Sequence, residues 1–188
     1  MPFAFRHLTG LPALILIEPR VIQDERGWFS EDYKLSEFKR HGIAYDFPQD
    51  NQSYSRSRGT LRGLHFQRIP AVQGKLVRCL AGELFDVAVD IQIGSPTYGK
   101  WGAVTLSSEN HDILWVPPGF AHGFQTVMDN SVIGYKVTSE YDAIQERCIR
   151  WNDPQLDIPW PISHPILSKK DAEAQLLSEV DNNLILQN

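Results

Sequence analysis

Short runs of alternating apolar and polar residues recur along this chain, set apart by clusters of turn-forming residues. The richest stretch runs from Gly59 to Asp90. Leu76 to Asp90 predicts a hairpin: Lys-Leu-Val-Arg-Cys-Leu, then Ala81-Gly82-Glu83 as the turn, then Leu-Phe-Asp-Val-Ala-Val-Asp. Leu11 to Ile17 reads as an early strand ending at Glu18-Pro19. Trp28 to Tyr33 reads as a strand after the polar turn Asp24-Glu25-Arg26-Gly27. Trp101 to Leu106, Asp112 to Val116, Ala121 to Val127 and Ser131 to Thr138 follow as strands. Gln49 to Arg58 is polar and without period, an irregular loop or edge strand. Ser36 to His41 is a short helix with Ser36 as cap and Gly42 as stop. Ser168 to Val180 has the spacing of a longer helix. Glu146 to Pro165, with Trp151, Trp160 and four prolines, reads as a surface loop.

Many short strands without alternating helices predict an all-β sandwich or barrel. With 188 residues the chain suits one domain over 1–188. No internal repeat, Rossmann unit or phosphate-cradling glycine loop is visible. The net charge of −5 argues against a general nucleic-acid or anionic-membrane surface. Leu11 to Ile17 is too short for a secretory segment or a membrane span. Cys79 and Cys148 lie far apart and in no metal spacing. They read as reduced, largely buried thiols of a cytoplasmic protein.

Charges on core-type strands cost free energy unless they are paired or used. Arg62, His65, Lys75, Arg78, Asp86 and Asp90 therefore hint at a polar cavity within the β structure. His7, His41, His111 and His164 lie in polar or terminal surroundings and read as surface residues. His65 and His122 sit beside glycine in strand-like sequence. His65 is either a core histidine bonded to backbone or a base able to take a proton near neutral pH. A cation such as Lys75 can hold an enolate that such a base creates. Tyr135 is either core packing or a phenolic acid facing the cavity. Asp171 has two readings as well. Ser168-Lys-Lys-Asp171 matches a capping box, and the same carboxylate could instead orient a protonated His65.

Pro118-Gly119-Phe120-Ala121-His122 resembles the second motif of the cupin superfamily. The metal-binding first motif, His-x-His with a Glu beyond, is here His65-Phe66-Gln67 with Lys75 further on. Two histidines beside an ammonium offer a poor divalent site.

The fuller resemblance is to the dTDP-4-dehydrorhamnose 3,5-epimerases. It rests on Gln49-Asp-Asn51, Leu61-Arg-Gly-Leu-His-Phe-Gln67, Gln73-Gly-Lys-Leu-Val-Arg78, Phe85-Asp-Val-Ala-Val-Asp90, Gly119-Phe-Ala-His-Gly-Phe124 and Trp151-Asn-Asp-Pro154. The resemblance implies a cupin-like jelly-roll barrel, a homodimer, no metal and no organic cofactor. It implies a dTDP-4-keto-6-deoxy sugar as substrate, inverted at C3 and C5 on the way to dTDP-L-rhamnose. Relatives that invert one carbon share most of these motifs. By the same resemblance His65 is the base, Asp171 its partner, Lys75 the enolate's cation and Tyr135 the proton donor. Arg26, Glu31, Gln49, Asp50, Asn51, Arg62, His122, Glu146 and Lys170 are binding positions. Asp86, from the charged cluster, and Phe29, a flank for the thymine ring, join them. In such dimers the strand around Arg26, Phe29 and Glu31 is expected to complete the neighbour's site. Two departures stand out: Gln52 where many members have His, and Glu140-Tyr141 where many have Tyr-Tyr.

Overall fold

The structure, a computed structural model, describes residues 2–185. Two antiparallel sheets face each other, as expected of a cupin-like jelly roll. The first contains β1 (Phe3–Leu8), β2 (Leu11–Pro19), β5 (Gln49–Ser55), β7 (Lys75–Ala81), β10 (Ile113–Val116) and β12 (Ser131–Val137), in the order β1-β2-β10-β7-β12-β5. The second contains β6 (Leu61–Gln67), β8 (Glu83–Asp90), β9 (Trp101–Ser107), β11 (Phe120–Thr126) and β13 (Glu146–Cys148), in the order β13-β6-β11-β8-β9. A separate ribbon pairs β3 (Val21–Asp24) with β4 (Gly27–Ser30). Two short helices, α1 (Leu35–Arg40) and α2 (Lys169–Ala172), complete the described elements.

Three apolar layers explain why several strands are buried on both faces. Leu16, Val77, Leu114 and Ile133 meet Leu84, Leu106, Phe120 and Phe124 between the sheets. Phe38 and Ile43 cover the outer face of the first sheet, over Ile17, Leu76 and Trp115. Leu156, Trp160, Leu177 and Val180 cover the outer face of the second, over Leu64, Val87 and Val89. Each fully buried side chain of this kind is worth about 1.5–3 kcal/mol.

The predicted hairpin of Leu76 to Asp90 is not one. β7 and β8 are consecutive but lie in different sheets. The chain turns a corner at Gly82, whose φ is 78°. A Cβ there would sit 2.4 Å from Ser131 Oγ, so only glycine fits the bend. Because both faces of β7 and β8 are covered, alternation could not tell a pair from a corner.

The predicted helix over 168–180 shrinks to Lys169–Ala172. Arg150 N donates to Gln175 O at 2.7 Å, and Leu177 N donates to the buried Asp153 carboxylate at 2.7 Å. Those tertiary bonds draw the backbone away from helical pairing, while Ala174, Leu177 and Val180 still point into the core. α1 begins at Leu35 with Lys34 at its cap position and no side-chain capping bond, so Ser36 is not the cap. Gly42 does follow its end, with φ 82°. Gln49 to Ser55 is an edge strand, β4 stops at Ser30, and the loop after Glu146 contains β13. His111 is half-buried against Trp28, at 4.3 Å between ring centres, rather than free on the surface.

Candidate active site

A cleft opens between the two sheets at the end where β6, β7, β12 and β13 converge. It has two lobes of about 320 and 270 Å³. His65, Lys75, Tyr135 and Glu146 line both lobes. Gln49, Asn51, Gln67, Gln73 and Tyr141 line the first alone. Arg62, His122, Ser168, Lys170 and Asp171 line the second alone.

The Arg-Gly-Leu-His sequence works through a bulge. Arg62 and His65 are three residues apart, so a regular strand would point them to opposite faces. Here β6 pairs Arg62 with Phe124 and His65 with His122, placing two β6 residues opposite Gly123 alone. The extra residue turns both polar side chains into the cleft. The strands also approach closely: a Cβ on Gly63 would lie 2.6 Å from Gly123 Cα. Glycine at both positions brings the two histidines into register.

His65 Nε2 lies 2.6 Å from Asp171 Oδ1. With Nε2–H donating, Nδ1 keeps the free lone pair. Burial pushes the imidazole below its ordinary value, and the Asp171 carboxylate only partly opposes that. Burial would raise Asp171, but bonds from His65 and Ser168 win and hold it down to about 2. Asp171 makes contacts of both kinds expected of it. Its N–H donates to Ser168 Oγ at 3.1 Å, as a capped helix requires, and its carboxylate faces His65.

Lys75, only 8% exposed, has its ammonium lowered to about 8 by burial, against the opposing fields of Asp86 and Glu146. Burial raises the Tyr135 phenol, so it holds its proton at neutral pH. His122, in the wall of the second lobe, holds Nε2 2.9 and 3.0 Å from the oxygens of Asp86, which lies behind it. Glu146 accepts from Lys170 Nζ at 2.7 Å and from Tyr141 Oη at 2.8 Å. Burial alone would raise Glu146, yet these two bonds keep it below the usual carboxylate range.

The cleft does not collect every residue singled out in the sequence. Asp50 lies between Gln49 and Asn51 on β5, so the strand's alternation turns it outward, where it pairs with Lys136 at 2.8 Å. Arg26, Phe29 and Glu31 lie on or just after the β3–β4 ribbon. Arg26 pairs with Asp24, and Phe29 and Glu31 line a separate hollow with Arg20 and Ile22. Sequence reasoning missed Tyr141, Gln67 and Gln73 as cleft residues. Gln67 and Gln73 hold the 139–142 backbone, through Asp142 N and Ser139 O. The surviving tyrosine of the expected Tyr-Tyr pair was the signal for Tyr141.

Among the described residues one group is close enough to hold a metal ion: His65 Nε2, Cys148 Sγ and Asp171 Oδ1, within 4.8 Å of one another. The donor chemistry fits poorly. Histidine and carboxylate are spent on each other, and burial raises the thiol, which disfavours the thiolate a metal needs.

The family model described as dTDP-4-dehydrorhamnose 3,5-epimerase matches residues 8–179. The chain belongs to that family. A curated relative of that name from Shigella flexneri is 48% identical over 174 residues, covering 92% of this chain and 96% of the relative. A crystal structure of dTDP-6-deoxy-D-glucose-3,5-epimerase from Legionella pneumophila, in complex with dTDP-4-keto-L-rhamnose, superposes with a TM-score of 0.93. It is 45% identical and covers 99% of this chain and 98% of that one. A 3'-monoepimerase from Streptomyces bikiniensis, in complex with dTDP-quinovose, is less similar: TM-score 0.84, 34% identity, covering 92% and 88%. Among the described residues no helix is long and apolar enough to cross a membrane.

Proposed function

We propose that the chain is a dTDP-4-dehydrorhamnose 3,5-epimerase, inverting C3 and C5 of dTDP-4-dehydro-6-deoxy-D-glucose in dTDP-L-rhamnose biosynthesis. The observation that carries this reading is the arrangement of three groups around one cleft. His65, backed by Asp171, comes from the second sheet, and Tyr135 and Lys75 come from the first. A base and an acid on facing walls suit inversion, which needs a proton removed from one side of a carbon and delivered to the other.

His65 Nδ1 takes the proton from C3. The C–H electron pair moves into the C4 carbonyl and forms an enolate, which the Lys75 ammonium stabilises. Tyr135 gives its phenolic proton to C3 from the opposite face as the carbonyl reforms. Solvent then restores both residues, and the cycle repeats at C5. The C4 ketone acidifies both positions, so these steps call on no cofactor. Arg62 and Lys170 supply local positive charge for a pyrophosphate in a chain of net charge −5.

The reading extends to a homodimer. The ribbon exposes Ile22, Trp28 and Phe29 at 53, 59 and 63%. Such apolar exposure suits burial against a second copy, and Arg26, Phe29 and Glu31 would then serve the neighbour's cleft. Light scattering on the intact protein tests this, and a monomer would overturn it. A cytoplasmic location follows from a nucleotide-sugar substrate made inside the cell.

Incubation with dTDP-4-keto-6-deoxyglucose in heavy water, followed by NMR, tests the activity. Deuterium at C3 and C5 with both centres inverted is expected. Inversion at one carbon would make the chain a monoepimerase, and binding without exchange would make it a non-catalytic nucleotide-sugar module.

A further inference from the structure

Asp171 Oδ1 serves three donors. His65 Nε2 lies at 2.6 Å, Gly63 N at 3.4 Å and Cys148 Sγ at 3.5 Å, while Oδ2 takes the Ser168 hydroxyl at 2.6 Å. Cys148 stands directly across from His65 in the β13–β6 pairing. Among the described residues its one other acceptor within reach, the neutral Ile149 carbonyl, is farther away at 3.7 Å. The thiol lines neither lobe of the cleft, so it has no path to a substrate except through the dyad.

We propose that Cys148 is a positioning residue for this epimerase: its S–H, donated to Asp171 Oδ1, fixes the carboxylate and limits how much of its charge reaches His65. The inference rests on His65 acting as the base. Burial, with the Asp171 charge beside it, raises the thiol above its ordinary value, so the proton it donates stays in place at neutral pH. A donor that shares the acceptor leaves the imidazolium less stabilised, which keeps His65 free to accept a proton. Among the described residues, the other charged or titratable groups around His65 are Lys170 on α2, Lys75 on β7, Glu146 on β13, Tyr135 on β12, Tyr141 after it, His122 on β11 and Arg62 on its own strand.

The test compares Cys148→Ala, Cys148→Val and Cys148→Ser with the wild type. Cys148 is half-buried on a three-residue strand at the sheet edge. Val roughly fills the thiol's volume without donating, which guards against a packing defect in Ala. With the donor gone, Asp171 gives more of its charge to His65. The acid limb of kcat/KM against pH should then rise by about half a pH unit, since a weak donor carries a fraction of what a full charge carries. Serine restores a donor and should bring the limb back, with KM unchanged in all three. An acid limb unmoved in Ala and Val, or moved equally in Ser, overturns the proposal. NMR titration of the His65 ring reads the same shift without turnover. A wild type that fails to exchange would sink the epimerase reading while this titration still judges the thiol, and an unmoved His65 titration in Ala and Val overturns its role.

Discussion

Two histidines on neighbouring strands of one sheet each face a carboxylate, and the two pairs are not equivalent. His122 and Asp86 come from adjacent strands β11 and β8, and their side chains are 7 and 0% exposed. His65 and Asp171 lie 106 residues apart in sequence, and His65 keeps 25% of its side chain open to the cleft. His122 shares its proton between two oxygens of one carboxylate, whereas His65 has one short contact to an oxygen that also serves other donors. The same two groups therefore suit different tasks. The half-open pair can exchange a proton with substrate and then with water. The sealed pair supplies a fixed charge beside Lys75. Access and hydrogen-bond sharing, more than residue type, separate a base from a scaffold.

Removing the open pair's base should have the largest effect. His65→Asn keeps a polar side chain but has no lone pair able to take the proton. Turnover should fall by at least the roughly 10²–10⁴ typical of general-base catalysis, with near-normal unfolding. Deuterium exchange at C3 and C5, followed by NMR, checks this, and retained exchange would rule His65 out as the base.

Tyr135→Phe should separate exchange from inversion. The ring and its packing against the core between the sheets remain, and only the donor oxygen is lost. The enolate still forms, and His65 returns solvent deuterium to the face it came from. Label with retained configuration is the expected product. Normal inversion at the wild-type rate would mean Tyr135 is only a core aromatic.

Asp171→Asn weighs the capping role against the catalytic one. Ser168 is the cap and accepts the backbone N–H of residue 171, which Asn keeps, so the effect on the helix start alone should be under about 1 kcal/mol. Activity should fall far more than stability, because the carboxamide removes the charge that favours a protonated His65. The reverse outcome, near-normal activity in a destabilised protein, would leave Asp171 as a cap. The wild-type carboxyl also sets a pH window. Its folded pKa of about 2 lies below the unfolded value of about 3.9. Its contribution is therefore complete above about pH 4 and lost as pH falls towards 2.

The two pairs differed in how legible they were from the residues alone. His122 and Asp86 both stand in long motifs. Of the cleft residues, His65 and Lys75 do so, whereas Tyr135 and Asp171 have only the short Tyr-Lys and Ser-x-Lys-Asp, yet the fold brings these four to one cleft. Strands such as Trp101–Ser107 and Ser131–Val137 form where runs between turn residues predict them. The corner at Gly82 stayed hidden because β7 and β8 are covered on both faces, which erases the difference between pairing and crossing. The C-terminal helix was over-read because Ala174, Leu177 and Val180 have helical spacing yet serve the outer face of a sheet through irregular backbone. Asp50 was grouped with its neighbours by motif, and only the registered strand shows that it points the other way. Cys148 carries no motif at all. Its place beside Asp171 depends on β13 pairing with β6, which no local pattern announces.

The smallest expected effect concerns how the sealed pair reaches the chemistry. The Lys75 ammonium is pushed down to about 8 by burial, and the Asp86 carboxylate is the largest force opposing that fall. Its ordinary value is near 10.4, so the folded protein binds fewer protons than the unfolded chain between about pH 8 and 10.4. The stability linked to this group is therefore greatest above that window and lost as pH falls through about 8. The fold bears a buried ammonium at neutral pH, and the proposed mechanism would use it on the enolate. The alkaline limb of kcat/KM should accordingly fall near pH 8, above an acid limb that burial of His65 pushes below the ordinary histidine range. Lys75→Arg, which keeps its charge at any such pH, should abolish the alkaline limb even if it is slower. Asp86→Asn keeps the shape of the sealed pair while removing its charge. Without that field Lys75 should lose its proton more readily, and the alkaline limb should move below pH 8 while the acid limb stays in place. If both limbs stay where they are in Asp86→Asn, the sealed pair is scaffold alone and has no electrical part in the reaction.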